Sequence, residues 1–213
     1  MTPAEMEKAV IYLLDREAIR DVVTSYCRGV DRFDRELLLS TYHPDAVDDH
    51  AGFVGGREEF FDWVREMHGT YHRITQHYVA NHHVEMDGDS AHAETYFIYA
   101  ALNKEGTPFS LSGGRYIDRL EKRDGKWAIA HRYMLHEWSA PAINTVAAAG
   151  TPEGSPNRLN VKPHEFEIMK SQAKPARDKS DPSYLRPLTV PPHRRQDYET
   201  ISDRAHATEV THG

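Results

Sequence analysis

A chain of 213 residues accommodates one domain with a sizeable core plus an extension, and is short for two independent domains. A formal net charge of −7 without a long basic run lacks the electrostatic footprint of a nucleic-acid binder, and no apolar run approaches the length of a membrane span. The single cysteine, Cys27, excludes an internal disulfide, and the opening "MTPAEMEKAV" lacks the charged and apolar regions of a secretory signal, so a soluble, cytoplasmic protein is expected, with no membrane and no nucleic-acid partner.

Along the chain, Ile11, Leu14, Ile19, Val22, Val23, Tyr26 and Val30 recur at spacings of three and four, which predicts a helix from Pro3 to Val30 burying one stripe. "FDRELLLSTY" predicts a second helix stopped by Pro44, followed by an extended stretch over 45–54. "GGREEFFDWVREMHG", with Phe60, Phe61, Val64 and Met67 at helical spacing between Gly55, Gly56 and Gly69, predicts a third. The period then changes to two. "QHYVANHHVEMDGDSAHAETYFIYAAL" reads as two strands hinged at Asp87-Gly88, and "GGRYIDRLEKRDGKWAIAHRYMLHEW" as two more hinged at Asp124-Gly125. "LSGGRY" has no phosphate-loop pattern and reads as a bend or bulge in the sheet.

Helices followed by an antiparallel sheet give an α+β class, and the expected architecture is a conical, half-open barrel in which a curved sheet is covered by the N-terminal helices. Residues 1–140 are assigned to this domain. Residues 141–213 form an extension, loop-like at "AAAGTPEGSPN", with one short helix near 163–172 and a proline-rich, charged remainder that wraps the domain or a neighbour, or is disordered.

A cone has an interior where a ligand can lie. If the face of the first sheet strand that carries His77, Val79 and Asn81 lines it, that face looks toward the helix carrying Tyr26 and Asp31. An aspartate beside an imidazole fixes its tautomer and leaves the second nitrogen free to take a proton, so Asp31 and His77 form a candidate dyad. Tyr26 offers a neutral hydroxyl for a departing oxygen. The bland alternatives are a core tyrosine, a helix-end aspartate and a satisfied strand histidine. Tyr96 and Tyr99 alternate on their strand, so one of them points inward; His131 and His136 divide the faces of the last strand in the same way. Fourteen histidines invite a metal, yet adjacent His82 and His83 point to opposite faces and no zinc spacing is present, so no metal is expected. Cys27 reads as packing.

"REAIRDVVTSYCRGVDRFDRE", "ITQHYVANHHVE" and "LSGGRYIDRLEKRDGKWAIAHR" resemble successive landmarks of the SnoaL-like domains in the nuclear transport factor two superfamily, over roughly residues 8–140. The resemblance implies a cofactor-independent lyase with a catalytic Asp31–His77 dyad, Tyr26 matching the tyrosine ahead of the aspartate in the bile acid dehydratase branch. Where that branch has an aspartate after the first hairpin and an arginine in the last strand, this chain has Tyr99 and His136, so these two are expected, with Asn81 and Tyr96, as substrate contacts. The implied substrate is small, hydrophobic, hydroxylated and aromatic or steroid-like, and the implied reaction is dehydration. The alternatives it implies are carbon–carbon cleavage releasing formaldehyde from a lignin-derived diaryl compound, an isomerase or cyclase, or a non-catalytic ligand-binding or assembly module. It also suggests a homo-oligomer, trimer or dimer.

Overall fold

A computed structural model of the chain describes residues 1–104, 109–140, 163–173, 180 and 182–210. Helix α1 (Pro3–Arg32) starts at Thr2, whose hydroxyl accepts from the Glu5 N–H while the Glu5 carboxylate accepts from the Thr2 N–H, a reciprocal cap that contributes about 1 kcal/mol. Its buried stripe begins only at Ile19 and runs through Val22, Val23, Tyr26, Cys27 and Val30. Ile11 and Leu14, expected on that stripe, are exposed, while Asp15 meets Lys122 and Trp127 and Arg16 the Val84 carbonyl, so α1 engages the sheet from there on.

Helix α2 (Arg35–Ser40), capped by the Asp34 carboxylate on the Leu37 N–H, ends four residues ahead of Pro44. Strand β1 (Tyr42–Asp49) takes in the proline across a register irregularity between Tyr42 and Val47. The two-residue strand β2 (Val54–Gly55) leads into helix α3 (Arg57–Tyr71), which buries Phe60, Phe61, Val64 and His68. Gly69, expected to end α3, lies inside it.

Four long strands follow: β3 (His72–Asp87), β4 (Ser90–Asn103), β5 (Phe109–Arg123) and β6 (Lys126–Ser139). The sheet order is β2-β1-β6-β5-β4-β3. All pairings are antiparallel except β1 with β6, so the expected wholly antiparallel sheet acquires one parallel pair where the chain first enters it. The β5–β6 hairpin turns at Asp124-Gly125, both at positive φ, 52° and 76°, as a two-residue turn that follows the strand twist requires. In the β3–β4 hairpin Asp87 pairs with Ser90, so the turn is Gly88-Asp89, one residue beyond the expected hinge. Opposite Gly113 and Gly114 of β5, strand β6 advances two residues, from Trp138 to His136, so the irregularity expected at "LSGGRY" is a bulge whose extra residue, Glu137, lies on β6.

The curved, unclosed sheet and the helices on its concave face enclose one main core, from Ile19 and Val23 on α1 through Phe60 and Val64 on α3 to Phe97, Tyr116, Leu120 and Ile129 on the strands. The described parts of the C-terminal extension pack on this same body. Helix α4 (Pro163–Lys170) buries Ile168 and lays Met169 on the main core, and Leu188 and Val190 join Ile117, Tyr133 and Leu135 on the opposite face of β5 and β6. The Tyr133 hydroxyl donates to the Thr189 carbonyl at 2.9 Å. Helix α5 (Pro192–Val210), unforeseen in a proline-rich stretch, carries Arg194 into a buried ion pair with Asp49. "AAAGTPEGSPN" lies outside the described residues.

Candidate active site

Asp31 occupies the last turn of α1, where the helix dipole disfavours a carboxylate. Three donors offset this. The Thr75 hydroxyl (2.9 Å) and His77 Nδ1 (2.7 Å) meet Oδ1, and the His77 backbone N–H (2.8 Å) meets Oδ2. Burial pushes the Asp31 carboxyl up, but the hydrogen bonds and charge of His77 and the Thr75 hydroxyl outweigh it, and the group lies below its ordinary range. The same bonds place a proton on His77 Nδ1 and leave Nε2 as the basic nitrogen. The chain reaches this point through a left-handed residue, Phe33 at φ 52°, whose turn returns the Phe33 and Asp34 N–H groups to the carbonyls of Val30 and Gly29 and stops the helix with Asp31 facing β3.

His77 lines a cavity between the sheet and the helices. The wall is largely apolar and aromatic, with Trp63, Phe97, Tyr116, Met67, Met134 and Met169 prominent. Beside the dyad stands a second polar group. The Tyr99 ring lies 4.9 Å from that of His77, its hydroxyl is 3.2 Å from His68 Nδ1, and that nitrogen is 3.0 Å from His72 Nδ1. Burial lowers the basicity of both imidazoles, His68 strongly and His72 to about 4, so both are neutral at physiological pH. Burial pushes the Tyr99 phenol far up, which keeps its proton in place to donate.

Tyr26 also borders the cavity, but its ring is 0% exposed. It sits 4.1 Å beneath the Arg132 guanidinium, stacks on Phe60 and meets Tyr42 and Tyr116 edge-on. Arg132 is itself held by a bidentate pair with Asp118, both bonds 2.7 Å, and burial drives the Tyr26 phenol well above its usual range. Neighbouring Cys27, expected as packing, is buried in the same layer, and burial pushes its thiol up to about 12.

The structure therefore brings His77, Tyr26, Tyr99 and His136 to one cavity with Asp31 behind His77. It does not bring Asn81 or Tyr96. Between Val79 and His82 strand β3 advances three residues while β4 moves two, from Phe97 to Thr95, and this bulge exchanges the two faces. Before it Thr75, His77 and Val79 turn inward; after it His82, Val84 and Met86 do, and Asn81 is exposed. Tyr96, 40% exposed, stands on the outer face with the Arg115 guanidinium 5.8 Å from its ring, because inward-facing Thr95 and Phe97 flank it. The sequence reading missed His50, His68, Trp63 and Glu165, all on the cavity wall. Glu165 comes from the C-terminal extension and accepts from Trp63 Nε1 at 3.0 Å. Among the described residues no three histidine, cysteine, aspartate or glutamate side chains converge as a metal site, and no helix is long and apolar enough to cross a membrane.

Comparison with known proteins places this geometry in a family. No curated protein matches the chain. Among solved structures, the hexachlorocyclohexane dehydrochlorinase of Novosphingobium barchaimii LL02 superposes with a TM-score of 0.59 at 22% identity, over 64% of this chain and 95% of that one. A protein of Novosphingobium aromaticivorans DSM 12444 provisionally named a scytalone dehydratase gives 0.55 at 22% identity, over 65% and 97%. A protein of unknown function from Mycobacterium tuberculosis gives 0.54 at 22% identity, over 64% and 77%. At these identities the likeness is one of fold. The family profile of the SnoaL-like domain matches residues 12–133, more than half of the chain, and the protein belongs to that family of α+β cones.

Proposed function

We propose that this protein is a lyase that removes water from a small, largely apolar, hydroxylated molecule, with His77 as the base. The observation that supports this most directly is the Asp31–His77 pair: a carboxylate bonded at 2.7 Å to one imidazole nitrogen, in a histidine that lines an aromatic cavity. Such a pair can take a proton from a carbon or a hydroxyl. The same fold carries a hexachlorocyclohexane dehydrochlorinase and a protein provisionally named a scytalone dehydratase, which lends the reading support.

Tyr99, protonated and next to His77, is positioned to donate to a substrate oxygen that gains charge as the proton leaves. His136, bonded through Nε2 to the Ser139 hydroxyl at 2.8 Å, and Glu165 supply further polar points on an otherwise apolar wall. They suit a substrate with more than one polar group on an apolar body. Tyr26 serves in this reading as wall and as the floor for Arg132, whose guanidinium lies 4.1 Å from its buried ring.

The test is incubation of the purified protein with hydroxylated steroids, hydroxylated aromatics and diarylpropanes, with products followed by mass spectrometry beside a His77→Ala control. A loss of water that falls by roughly 10²- to 10⁴-fold in the variant is expected. Loss of formaldehyde dependent on His77 would replace carbon–oxygen by carbon–carbon cleavage on the same base. A His77→Ala protein with wild-type turnover would refute the base assignment.

A further inference from the structure

Elimination of water needs two proton transfers: one proton leaves the substrate, and another must reach the departing oxygen, because hydroxide is a poor leaving group at neutral pH. His77 accounts for the first. Tyr26, the residue that the sequence suggests for the second, borders the cavity with a ring 0% exposed and packed under Arg132.

A second carboxylate–imidazole pair faces the same cavity. His50 follows directly on β1, and its Nδ1 lies 3.2 Å from Asp48 Oδ1, with side chains 11% and 1% exposed. Asp48 Oδ2 accepts in turn from the buried Tyr42 hydroxyl. The result is a chain, Tyr42 to Asp48 to His50, running from the core to the cavity wall. Aromatic rings hold the imidazole in place, Phe60 at 4.9 Å, Trp63 at 6.1 Å and Tyr116 at 6.2 Å between centroids. Packing alone does not call for an ionisable ring in that aromatic box. A proton carrier oriented by a carboxylate does.

We infer that His50, oriented by Asp48, is the acid that protonates the leaving hydroxyl, an assignment that rests on the lyase reading proposed for this cavity. In the step, His77 Nε2 takes the proton from the substrate carbon and the C–H electron pair becomes the new π bond. The carbon–oxygen bond breaks with its pair going to oxygen, and the His50 imidazolium gives that oxygen a proton, so an alkene and one water result. After release, His77 loses its proton to solvent and His50 regains one.

The two histidines are separated by two probes that fit an aromatic pocket. 5-Nitrobenzisoxazole opens on removal of one C–H proton and expels a stable phenoxide, so it needs a base and no acid; 4-hydroxy-4-phenylbutan-2-one needs a base and a protonated leaving group. The wild type is expected to turn over both, and His77→Ala to lose both. His50→Gln, which keeps a polar side chain beside Asp48, is expected to lose roughly 10²- to 10⁴-fold in kcat/KM on the hydroxyketone and roughly tenfold or less on the benzisoxazole. Equal losses on the two probes, or no loss on either, would make His50 a packing residue and overturn the assignment. So would a wild type that opens the benzisoxazole but leaves the hydroxyketone untouched. Failure of the parent reading looks different: His77→Ala would keep the benzisoxazole activity, or the wild type would be inert to both probes.

Discussion

Arg194 is where the C-terminal extension is fastened, and its removal has a calculable consequence. The guanidinium donates to both Asp49 carboxylate oxygens (2.8 and 3.0 Å), to the Ala51 carbonyl, and to the Ile168 carbonyl and Ser171 hydroxyl of the α4 region. Arg194 and Asp49 are 1% and 0% exposed. Burial pushes the Asp49 carboxyl up while Arg194 pulls against it. Arg194→Met keeps the aliphatic stem and removes all of these donors. Breaking a buried pair from one side costs about 3–5 kcal/mol. At about 1.36 kcal/mol per decade this is a roughly 10²- to 10⁴-fold rise in the population with α4 and α5 detached. Hydrogen exchange by mass spectrometry reads it directly: amides of 163–173 and 192–204 should exchange faster by that factor, while those of β4 and β5 do not change. Adding Asp49→Asn removes the stranded charge and should return part of the protection, as a double-mutant cycle on a coupled pair requires. Unchanged exchange in the extension, or equal acceleration in the sheet, would refute the view that this pair fastens the tail alone.

Two further predictions concern stability. Asp31 has a folded pKa below its ordinary 3.8, so the unfolded chain protonates first as the pH falls; its contribution is complete above that value and is lost as pH drops through the depressed folded one. Denaturation series between neutral pH and roughly pH 2 should show a steeper acid limb for the wild type than for Asp31→Asn, and parallel limbs would contradict the hydrogen bonding assigned to the carboxylate. Opposite the β6 bulge, a Cβ on Gly114 would lie 1.9 Å from the Leu135 carbonyl oxygen, a backbone obstacle, whereas on Gly113 it would meet the half-exposed Trp138 ring at 2.4 Å, which can swing away. Gly114→Ala should cost at least the roughly 1–3 kcal/mol of ordinary overpacking and more than Gly113→Ala in denaturant midpoints; the reverse order would contradict the bulge geometry.

The elements legible in the sequence were those with local causes. Helical periodicity located α1 and α3, and the Asp-Gly dipeptides located both hairpins to within a residue. What escaped has non-local causes. Nothing in "HYVANHHVE" announces that one residue is extra, because a bulge is defined by the partner strand, and so Asn81 was placed on the wrong face. Ile11 and Leu14 satisfy the helical period as well as Ile19 does, but burial depends on where the sheet ends, which periodicity along one helix does not encode. Proline and charge in the extension concealed α5, whose anchor is Asp49, 145 positions away along the chain.

The site divides along the same line. The contact between Asp31 and His77 is legible because the helix end and the strand face each follow from a local period, and the two meet at one point. His50 lay within reach of the same logic. In "DDH", Asp48 and His50 stand two residues apart in extended chain, so their side chains share a face, while Asp49 between them takes the other. The structure uses both faces: Asp48 carries an imidazole at the cavity, and Asp49 binds the arginine that holds the extension. The extension in turn supplies Glu165 and Met169 to the cavity wall. One short alternating segment thus orients a candidate acid and, on its reverse side, fastens the segment that completes the pocket. On the proposed lyase reading, Asp49→Asn should raise KM more than it lowers kcat, because it loosens the segment that carries Glu165 and Met169 and leaves His50 and His77 in place; an unchanged KM would contradict this.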